Sequence, residues 1–545
     1  MRQPEDEGVK PHPIGRHDKE YGRVAKVGAV WVIGRHSVSQ IINIAASVVL
    51  ARLLTPYDFG IAAAAGFFLK LANKIGTVSF GSSLIRLKEL TPEHLSSVFV
   101  VSLGLSLTMW LGLTLGAPYL AAYFGNDAIG PVLRVSALIY LLLPFGVGQM
   151  AVFSREFRFK PAATVELTHA LVFLVVSVAL AWGGFGYWSL IYGTLVGNAA
   201  GTLLRIYLGG QQPRLKFSKA AFMEVIPFGV GLQAKRFLTF CAEYLDTLIV
   251  GRTLGVTALG LYDKAFSTVD RVTDRLAAGP GVFFRIFSII REDPERLRRA
   301  YRKSVLGVSL LGFPSFAALI VLAPELIPFV YGDQWRPSVL PFQILCLAGA
   351  LRVSRAYASA ATQAQGQIWS EIARLSIYVV LVVVGAWLGS MWGIVGVAVG
   401  IAVANLVMSI LMQGLVCQLL GFRWREPLEP QVPALYLSAI VVATMLAGVF
   451  VFDLLRDSPP DWERLLVKLV AGGAASLYLF LRPPWVSVKE IRDEVLHDLT
   501  PGALRFIPAW AAVAPIERRP RRDKRERKKK ARAIDTAKEE QVPGV

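Results

Sequence analysis

The chain has 545 residues, of which 54% are hydrophobic and only 18% are charged, and its net charge at pH 7 is +19. Soluble domains carry about 25% charged residues. This composition, with a mean hydropathy of +0.50, excludes a soluble protein with one anchor and indicates a polytopic membrane protein. The first 26 residues are polar, so we expect no signal peptide. The three cysteines lie in apolar segments without the spacing of a disulfide framework or a metal site.

Fourteen apolar segments follow, of the length that crosses roughly 30 Å of hydrocarbon as a helix. Short loops join them, and no soluble domain is inserted. The pattern predicts an all-α polytopic membrane protein with about 14 transmembrane helices. The spans are 27–51, 58–82, 97–118, 130–152, 163–183, 187–208, 222–251, 258–284, 304–328, 338–363, 375–390, 393–417, 433–453 and 463–482.

The Lys and Arg residues between these spans are distributed unevenly. Alternate connections hold only Arg52, Arg252, Arg336 and Arg456, whereas the N-terminal segment and the remaining connections hold 24 Lys or Arg. Residues 285–303 alone contain seven. Because Lys and Arg accumulate on the cytoplasmic side, we expect both termini to be cytoplasmic.

The chain resembles itself at an offset of about 200 residues. The segment ARLLTPYDFGIA (51–62) aligns with GRTLGVTALGLY (251–262), and APYLAAYFGND (117–127) aligns with APELIPFVYGDQ (323–334). Each repeat contains six spans, an even number, so its two copies share one orientation. We therefore predict two parallel lobes with the substrate between them.

This repeat divides the chain into five parts. They are a cytoplasmic N-terminal segment (1–26), an N-lobe of spans 1–6 (27–208), a C-lobe of spans 7–12 (222–417), two extra helices (433–482) and a basic cytoplasmic tail, partly disordered (483–545).

Nine basic residues fall well inside the spans. A charge at the centre of a membrane helix costs roughly 2.5–3.5 kcal/mol, so nine facing lipid would cost on the order of 20–30 kcal/mol. They must face protein or a water-filled cavity, and a cationic cavity favours passage of an anion. The predicted substrate-binding residues are Arg35, Lys70, Lys74, Lys235, Arg236, Arg271, Arg275, Arg352 and Arg355.

Internal ion pairing is the alternative for these cations. Asp274 follows Arg271 by three residues, close enough to pair on one helix face. Arg352 and Arg355 have no acid near them in sequence. The titratable groups of the spans are candidates for ion coupling, although a membrane histidine is more often a hydrogen-bonding group. These candidates are His36, Glu166, His169, Glu243, Asp246, Asp270 and Asp274.

Two further features concern helix ends and bends. Arg52 and Arg252 lie at the predicted outer ends of spans 1 and 7, where we expect them to anchor the interface or cap loops. Pro144 and Pro314 lie inside spans 4 and 9 and should kink these helices.

The tail contains a strongly basic run. Residues 518–532 hold eleven Lys or Arg and two acids. Because the run follows a membrane span on the predicted cytoplasmic side, binding to anionic lipid is a simpler explanation than binding to nucleic acid. Docking of cytoplasmic glycosyltransferases is an alternative role. The chain contains no DxD and no GxxxxGK[ST] motif, so we expect no cofactor, no metal, no catalytic residue and no intrinsic ATP-driven pump.

Several segments carry a family resemblance in order. They include ARLLTPYDFG (51–60), SREFRFKP (154–161), LDTLIVGRTLGVTALGLYDKA (245–265), DPERLRRAY (293–301) and LAPELIPFVYGDQW (322–335). With these the chain resembles polysaccharide exporters and Wzx-like lipid-linked oligosaccharide flippases of the multidrug/oligosaccharidyl-lipid/polysaccharide superfamily, in the colanic-acid-exporter-like branch.

The resemblance implies a MATE/MurJ-like fold of two six-helix lobes and alternating access. It also implies transfer of a polyprenyl-diphosphate-linked oligosaccharide across the bacterial inner membrane, with a polysaccharide polymerase or glycosyltransferases as candidate partners. An ion-coupled multidrug or small-solute antiporter of the same fold is the alternative. The first span has Arg35 and His36 but no acid, which disfavours organic cations as substrates. A membrane glycosyltransferase or polymerase is less favoured, because no long outside loop is present.

Overall fold

The computed structural model consists of helices joined by short connections. Throughout the part of the chain that it describes, no β-strand occurs. The predicted N-terminal segment and tail lie outside the described residues. The described residues are 38–76, 84, 91–156, 158–209, 215–225, 230–276, 279–456 and 460–481.

Many helices overlap the predicted spans, but predicted spans 4 and 8 each contain more than one helix. Helices α1 to α8, the N-terminal half, are Val38–Leu53, Pro56–Gly76, Pro92–Phe124, Ile129–Ala137, Ile139–Leu142, Pro144–Arg155, Phe159–Trp182 and Tyr187–Gly209. Helices α9 to α16, the C-terminal half, are Lys219–Val225, Val230–Thr253, Val256–Leu276, Pro280–Ile289, Pro294–Tyr331, Val339–Ala364, Ile368–Gly389 and Gly393–Leu420. Helices α17 and α18, the C-terminal hairpin, are Val432–Leu455 and Asp461–Leu481. Short 3₁₀ helices are Asp333–Ser338, Ser390–Trp392 and Glu429–Gln431.

Apolar helices long enough to cross a membrane confirm the all-α multi-pass class. Within the described residues, six helical segments meet the length and composition of a span, and a bent pair makes a seventh. That pair, Ile129–Leu142 with Pro144–Phe153, bends by 45°, so the kink predicted at Pro144 is confirmed. Helix α13 continues through Pro314 over 38 residues. The count of fourteen spans stays a prediction.

Side-chain caps fix where several helices begin. Thr55 precedes α2, and its backbone N–H and hydroxyl both donate to the Asp58 carboxylate, at 2.9 and 2.7 Å. Thr91 forms a capping box with His94 at the start of α3, and the Asp293 carboxylate accepts from the N–H of Arg296 at α13. These side chains satisfy backbone donors that a helix start leaves unpaired, so α1 turns directly into α2.

The two halves meet where α2 crosses α11. A Cβ atom built on Gly60 would overlap the Val256 carbonyl, and one built on Gly260 would overlap the Pro56 carbonyl. Only glycine permits backbones to approach this closely. Gly60 and Gly260 are equivalent positions of the repeat, so the crossing is nearly symmetric.

One continuous hydrophobic core joins the halves around this crossing. It includes Ile61 and Phe67 of α2, Leu259 and Val269 of α11, and Phe240 of α10. The Phe67 and Phe240 rings pack at a centroid distance of 5.7 Å. The C-terminal hairpin packs on α13 through a smaller cluster and the buried ion pair of Lys468 with Glu325, at 2.6 Å.

Candidate functional site between the two halves

Two arginines cap helices of the opposite half at the end where α1 turns into α2. Arg52 donates to the carbonyls of Phe329 and Val330 at the end of α13. Arg252 donates to the carbonyl of Tyr123 at the end of α3, at 2.7 Å. A helix leaves its last carbonyls unpaired and partly negative, so a cation there is favourable. Both arginines therefore act as caps, one of the two roles predicted for them, but each caps a helix end rather than a loop, and each cap bridges the halves.

Further contacts reinforce this closed end. Gln334 donates to the carbonyls of Ala51 and Leu54, at 2.9 and 3.0 Å, and the Trp335 indole donates to Ala51 at 2.9 Å. The last turn of α1 is thereby capped by side chains of the C-terminal half. Arg52, Arg252, Gln334 and Trp335, with the glycine crossing, hold the two halves together here.

A buried lysine lies behind these caps. Lys264 of α11 reaches α1 of the other half, where its ammonium donates to the hydroxyl and carbonyl of Ser47 at 3.0 and 3.1 Å. Three aromatic rings surround the ammonium, Phe59 at 4.6 Å, Tyr331 at 4.2 Å and Trp335 at 5.4 Å from their centroids. Rings stabilise a desolvated cation through their negative faces. Lys264 therefore joins both halves through hydrogen bonds and aromatic rings.

Cations without an ion-pair partner lie further along the crossing helices. Lys70 of α2 sits over the Tyr244 ring of α10, 4.3 Å from its centroid. Arg271 lies on α11, and both Lys70 and Arg271 are exposed and within electrostatic range of Asp263. Within the described parts of the chain, neither cation has a carboxylate within 4.0 Å, and the same holds for Arg275. Exposed positive charge is therefore present on helices of both halves beyond the closed end.

Lys235 is different, because it has an acidic partner. Its ammonium lies 2.7 Å from a carboxylate oxygen of Glu371 on α15 and donates to Ser359 of α14 at 2.9 Å. Ser359 itself donates to the same carboxylate at 2.5 Å. The Glu371 side chain is only 5% exposed, so this pair ties three helices of the C-terminal half together.

Arg352 and Arg355 of α14 also point into the C-terminal half. Arg352 pairs with Asp270 of α11 at 2.8 Å and lies 3.8 Å from Glu243 of α10. Arg355 donates to the Asn405 side chain of α16 at 3.2 Å and lies over the Tyr378 ring of α15. The acids that Arg352 lacks nearby in sequence come from other helices, and other helices also supply the partners of Arg355.

A small cavity of about 20 Å³ lies within this network, lined among others by Glu243, Arg352 and Asn405. Its volume suits one water molecule. Asp246 also lines it and accepts hydrogen bonds from the Tyr262 hydroxyl at 2.6 Å and the Thr247 N–H at 2.8 Å. Among the described residues, no group of three metal-ligating side chains occurs.

The N-terminal half has its own polar group. Glu166 of α7 accepts from the Ser39 hydroxyl of α1 at 2.9 Å. His169 lies one turn further along α7 and within electrostatic range of Arg205 on α8. These residues connect helices within one half.

The structure separates the predicted site residues into groups. Arg35 and His36 lie outside the described residues. Among the described residues, Lys70, Arg271 and Arg275 are exposed without an ion-pair partner, whereas Lys235, Arg352 and Arg355 are bonded within the C-terminal half. Lys74 is partly buried, whereas Arg236 and Asp274 are exposed. Sequence reasoning missed Asp263, Lys264, Arg205 and Glu371. Glu371 lies between predicted spans 10 and 11, in a predicted loop.

This geometry defines a class of protein, a multi-pass membrane protein whose two helical halves pack against each other. A structure entitled "Lipid II flippase MurJ, inward closed conformation" has the same fold, with a TM-score of 0.65, 15% identity and coverage of 83% of this chain and 97% of that one. The chain belongs to the "Polysaccharide biosynthesis protein" family, whose profile (Polysacc_synt_3) matches residues 49–340.

Two curated relatives are informative. "Lipopolysaccharide biosynthesis protein WzxC" of Escherichia coli (strain K12) is 27% identical over 313 residues, which are 56% of this chain and 62% of WzxC. The match thus spans less than two thirds of that relative. "Succinoglycan biosynthesis transport protein ExoT" of Rhizobium meliloti (strain 1021) is 26% identical over 480 residues, 85% of this chain and 93% of ExoT.

Proposed function

We propose that this protein is a flippase that moves a polyprenyl-diphosphate-linked oligosaccharide, a repeat unit of a surface polysaccharide, across the bacterial inner membrane. The observation that carries the proposal is the exposed positive charge of Lys70 and Arg271, on two helices from opposite halves. Membership of a polysaccharide biosynthesis family supports a saccharide cargo.

The diphosphate is the part of the substrate that these cations bind. Arginine presents a planar fork to two phosphate oxygens, and lysine presents a mobile point charge. In a cleft of low dielectric both interact more strongly than at a free surface. Lys70, Arg271 and Arg275 hold the diphosphate in this proposal, with Lys74 one helical turn beyond Lys70. Lys235, Arg352 and Arg355 instead keep the C-terminal half rigid.

Alternating access explains the contacts of the closed end. With both termini in the cytoplasm, the arginine caps and the Lys264 cage lie at the outer side, and the cationic space opens inward. The substrate then loads from the inner leaflet, with its saccharide in the cleft and its polyprenyl chain in lipid. Rocking of the halves breaks the caps of Arg52 and Arg252 and opens the outer side. The coupling ion stays a prediction, with Glu166 and His169 in one half and Glu243, Asp246, Asp270 and Asp274 in the other as candidates.

The test is made in the protein's own host. Deletion of the gene should accumulate lipid-linked saccharide and abolish the surface polymer. When the gene is reintroduced, the Lys70→Gln and Arg271→Gln variants should each export about tenfold less saccharide, or less still, than the wild-type protein. A hydrogen bond to a charged group contributes about 1.5–3 kcal/mol.

Arg291→Gln is the control, since Arg291 is an exposed cation in the turn before α13. It should export normally, and all three variants should reach the membrane in equal amounts. Full export by both Lys70→Gln and Arg271→Gln would refute the assigned site. A deletion that left the saccharide unchanged but made cells sensitive to organic cations would favour the antiporter.

A further inference from the structure

A row of polar and basic residues runs along α11 from the exposed cations to the closed end. The positions i, i+4, i+7 and i+11 of a helix lie on one face, and in this row they are Lys264, Thr268, Arg271 and Arg275. Exposure increases along the row, because Lys264 is only 4% exposed whereas Arg271 and Arg275 are exposed. At 1.5 Å per residue, Lys264 and Arg271 are about 10 Å apart along the helix axis. Lys264 is therefore the buried end of this basic row.

The acids of α11 form a second row, one position earlier. Asp270 pairs with Arg352 of α14 at 2.8 Å, and Asp274 lies within electrostatic range of the same arginine. Asp263 lies within electrostatic range of Lys264. Among the described residues, however, no carboxylate oxygen lies within 4.0 Å of the Lys264 ammonium. The buried ammonium is thus held by neutral oxygens and aromatic rings.

The two halves contribute different contacts to this ammonium. The N-terminal half supplies both hydrogen-bond acceptors, the hydroxyl and carbonyl of Ser47, and the Phe59 ring. From the described residues of the C-terminal half come the rings of Tyr331 and Trp335. Separation of the halves therefore removes both acceptors from Lys264. An ammonium has three donors and no acceptor, so it then requires water or an anion.

Thr268 continues the row from the buried lysine toward Arg271. Its hydroxyl donates to the carbonyl of Lys264 at 2.7 Å and lies 3.4 Å from the Tyr331 hydroxyl. The Tyr331 ring also covers the Lys264 ammonium, 4.2 Å from its centroid. Two hydroxyls therefore lie about one helical turn from the ammonium, on the side of the exposed cations.

We propose that Lys264 is a latch between the halves that the diphosphate of the substrate releases. The inference rests on the proposed function, because it starts from a diphosphate bound at Lys70 and Arg271. In the closed state the ammonium donates to Ser47 of α1. The diphosphate moves along the basic row and replaces Ser47 as the acceptor, and the closed end opens. Because the diphosphate bonds Lys264 only in the open state, its binding favours opening.

The distance between spin labels at Asp127 and Thr257 measures this opening, in purified full-length protein without its native cysteines. Geranyl diphosphate should shift the wild-type distribution toward longer distances, and geraniol should not. Lys264→Met removes the ammonium and should abolish this shift. Ser47→Ala removes one of the two acceptors and leaves Lys264 in place. About tenfold less geranyl diphosphate should then produce half of the shift, because a hydrogen bond to a charged group is lost.

Ser338→Ala is the matched control. The Ser338 hydroxyl donates to the carbonyl of Leu261 at 2.9 Å, within the C-terminal half, so this variant should respond like the wild type. A wild-type response of Lys264→Met would overturn the proposal. An unchanged concentration dependence of Ser47→Ala would do so as well, and this variant decides alone if Lys264→Met does not fold.

Calorimetry separates failure of the latch from failure of the proposed function. Binding of geranyl diphosphate to the wild-type protein without a change in the label distance would refute the latch and leave the proposed function standing. Absence of binding to the wild-type protein would contradict the proposed function and the latch together.

Discussion

Helices α2 and α11 are equivalent in the repeat. They share the residues of the glycine crossing but differ in their charges. Both carry the crossing glycine, Gly60 or Gly260, and both follow an arginine that caps the opposite half. Their charges differ: position 70 is Lys, whereas position 270 is Asp and pairs with Arg352. The shared residues close one end of the molecule. The differing residues make the charges asymmetric. Among the described residues Lys70 of α2 has no ion-pair partner, whereas α11 carries the paired Asp270 next to the unpaired Arg271.

The largest effect is expected for substitutions at the glycine crossing of α2 and α11. Gly60→Leu or Gly260→Leu places side-chain atoms inside a backbone carbonyl of the other half, so we expect loss of the folded, monodisperse protein. Gly66→Leu on the same helix meets no atom within 4 Å of its Cβ and should fold normally. Fluorescence-detected size-exclusion chromatography compares the three. Normal folding of all three would show that the close approach is not required.

The paired cations should matter for stability rather than for transport. Lys235→Met leaves Glu371 buried without its partner, which costs about 3–5 kcal/mol. Lys235→Met/Glu371→Leu removes both charges and should restore most of the loss. Arg302→Gln, in an exposed pair, should cost at most about 1 kcal/mol. Thermal melting of the purified variants provides the measurement, and a double variant as unstable as the single one would contradict the pairing.

The symmetric arginine caps should set the population of the closed state. Arg52→Ala/Arg252→Ala removes three inter-half hydrogen bonds, each contributing about 0.5–1.5 kcal/mol. Spin labels on cysteines at Asp127 and Thr257, in a background lacking Cys241, Cys346 and Cys417, report the separation of the halves by pulsed electron paramagnetic resonance.

The distance distribution should shift toward longer separations in this double variant. Arg336→Ala is the control, because Arg336 pairs with Asp333 and Asp461, which both follow α13 in the chain. Identical distributions in wild type, control and double variant would show that the caps do not hold the end closed.

Substitution of Asp263 has the smallest predicted effect and tests the difference in charge between α2 and α11. It lies within electrostatic range of both Lys70 and Arg271, so it repels an anion that these cations bind. Asp263→Asn should therefore tighten diphosphate binding about threefold, in line with the modest interaction of charges at an effective dielectric near 20. Competition binding with a short prenyl diphosphate measures this change, and weaker binding would assign Asp263 a different role.

Much of the fold could be predicted from the sequence, because hydropathy, loop charge and the repeat all leave local signals. The caps of Arg52 and Arg252 and the bend at Pro144 follow from such signals. The division of the basic residues into paired and unpaired could not be predicted. Lys235 pairs with Glu371 and Arg352 with Asp270, across distances in sequence that no helical periodicity encodes. The cage of Lys264 likewise gathers rings from two distant regions of the chain, Phe59 from one and Tyr331 with Trp335 from the other.

The most direct test is binding of geranyl diphosphate to the purified protein by isothermal titration calorimetry. Lys70→Gln and Arg271→Gln should each raise the dissociation constant about tenfold or more, whereas Lys235→Met/Glu371→Leu should leave it unchanged. Geranyl monophosphate should bind more weakly than the diphosphate. If instead Lys70→Gln and Arg271→Gln bind like wild type while the Lys235/Glu371 double variant loses affinity, the diphosphate site lies in the C-terminal half and not between the halves.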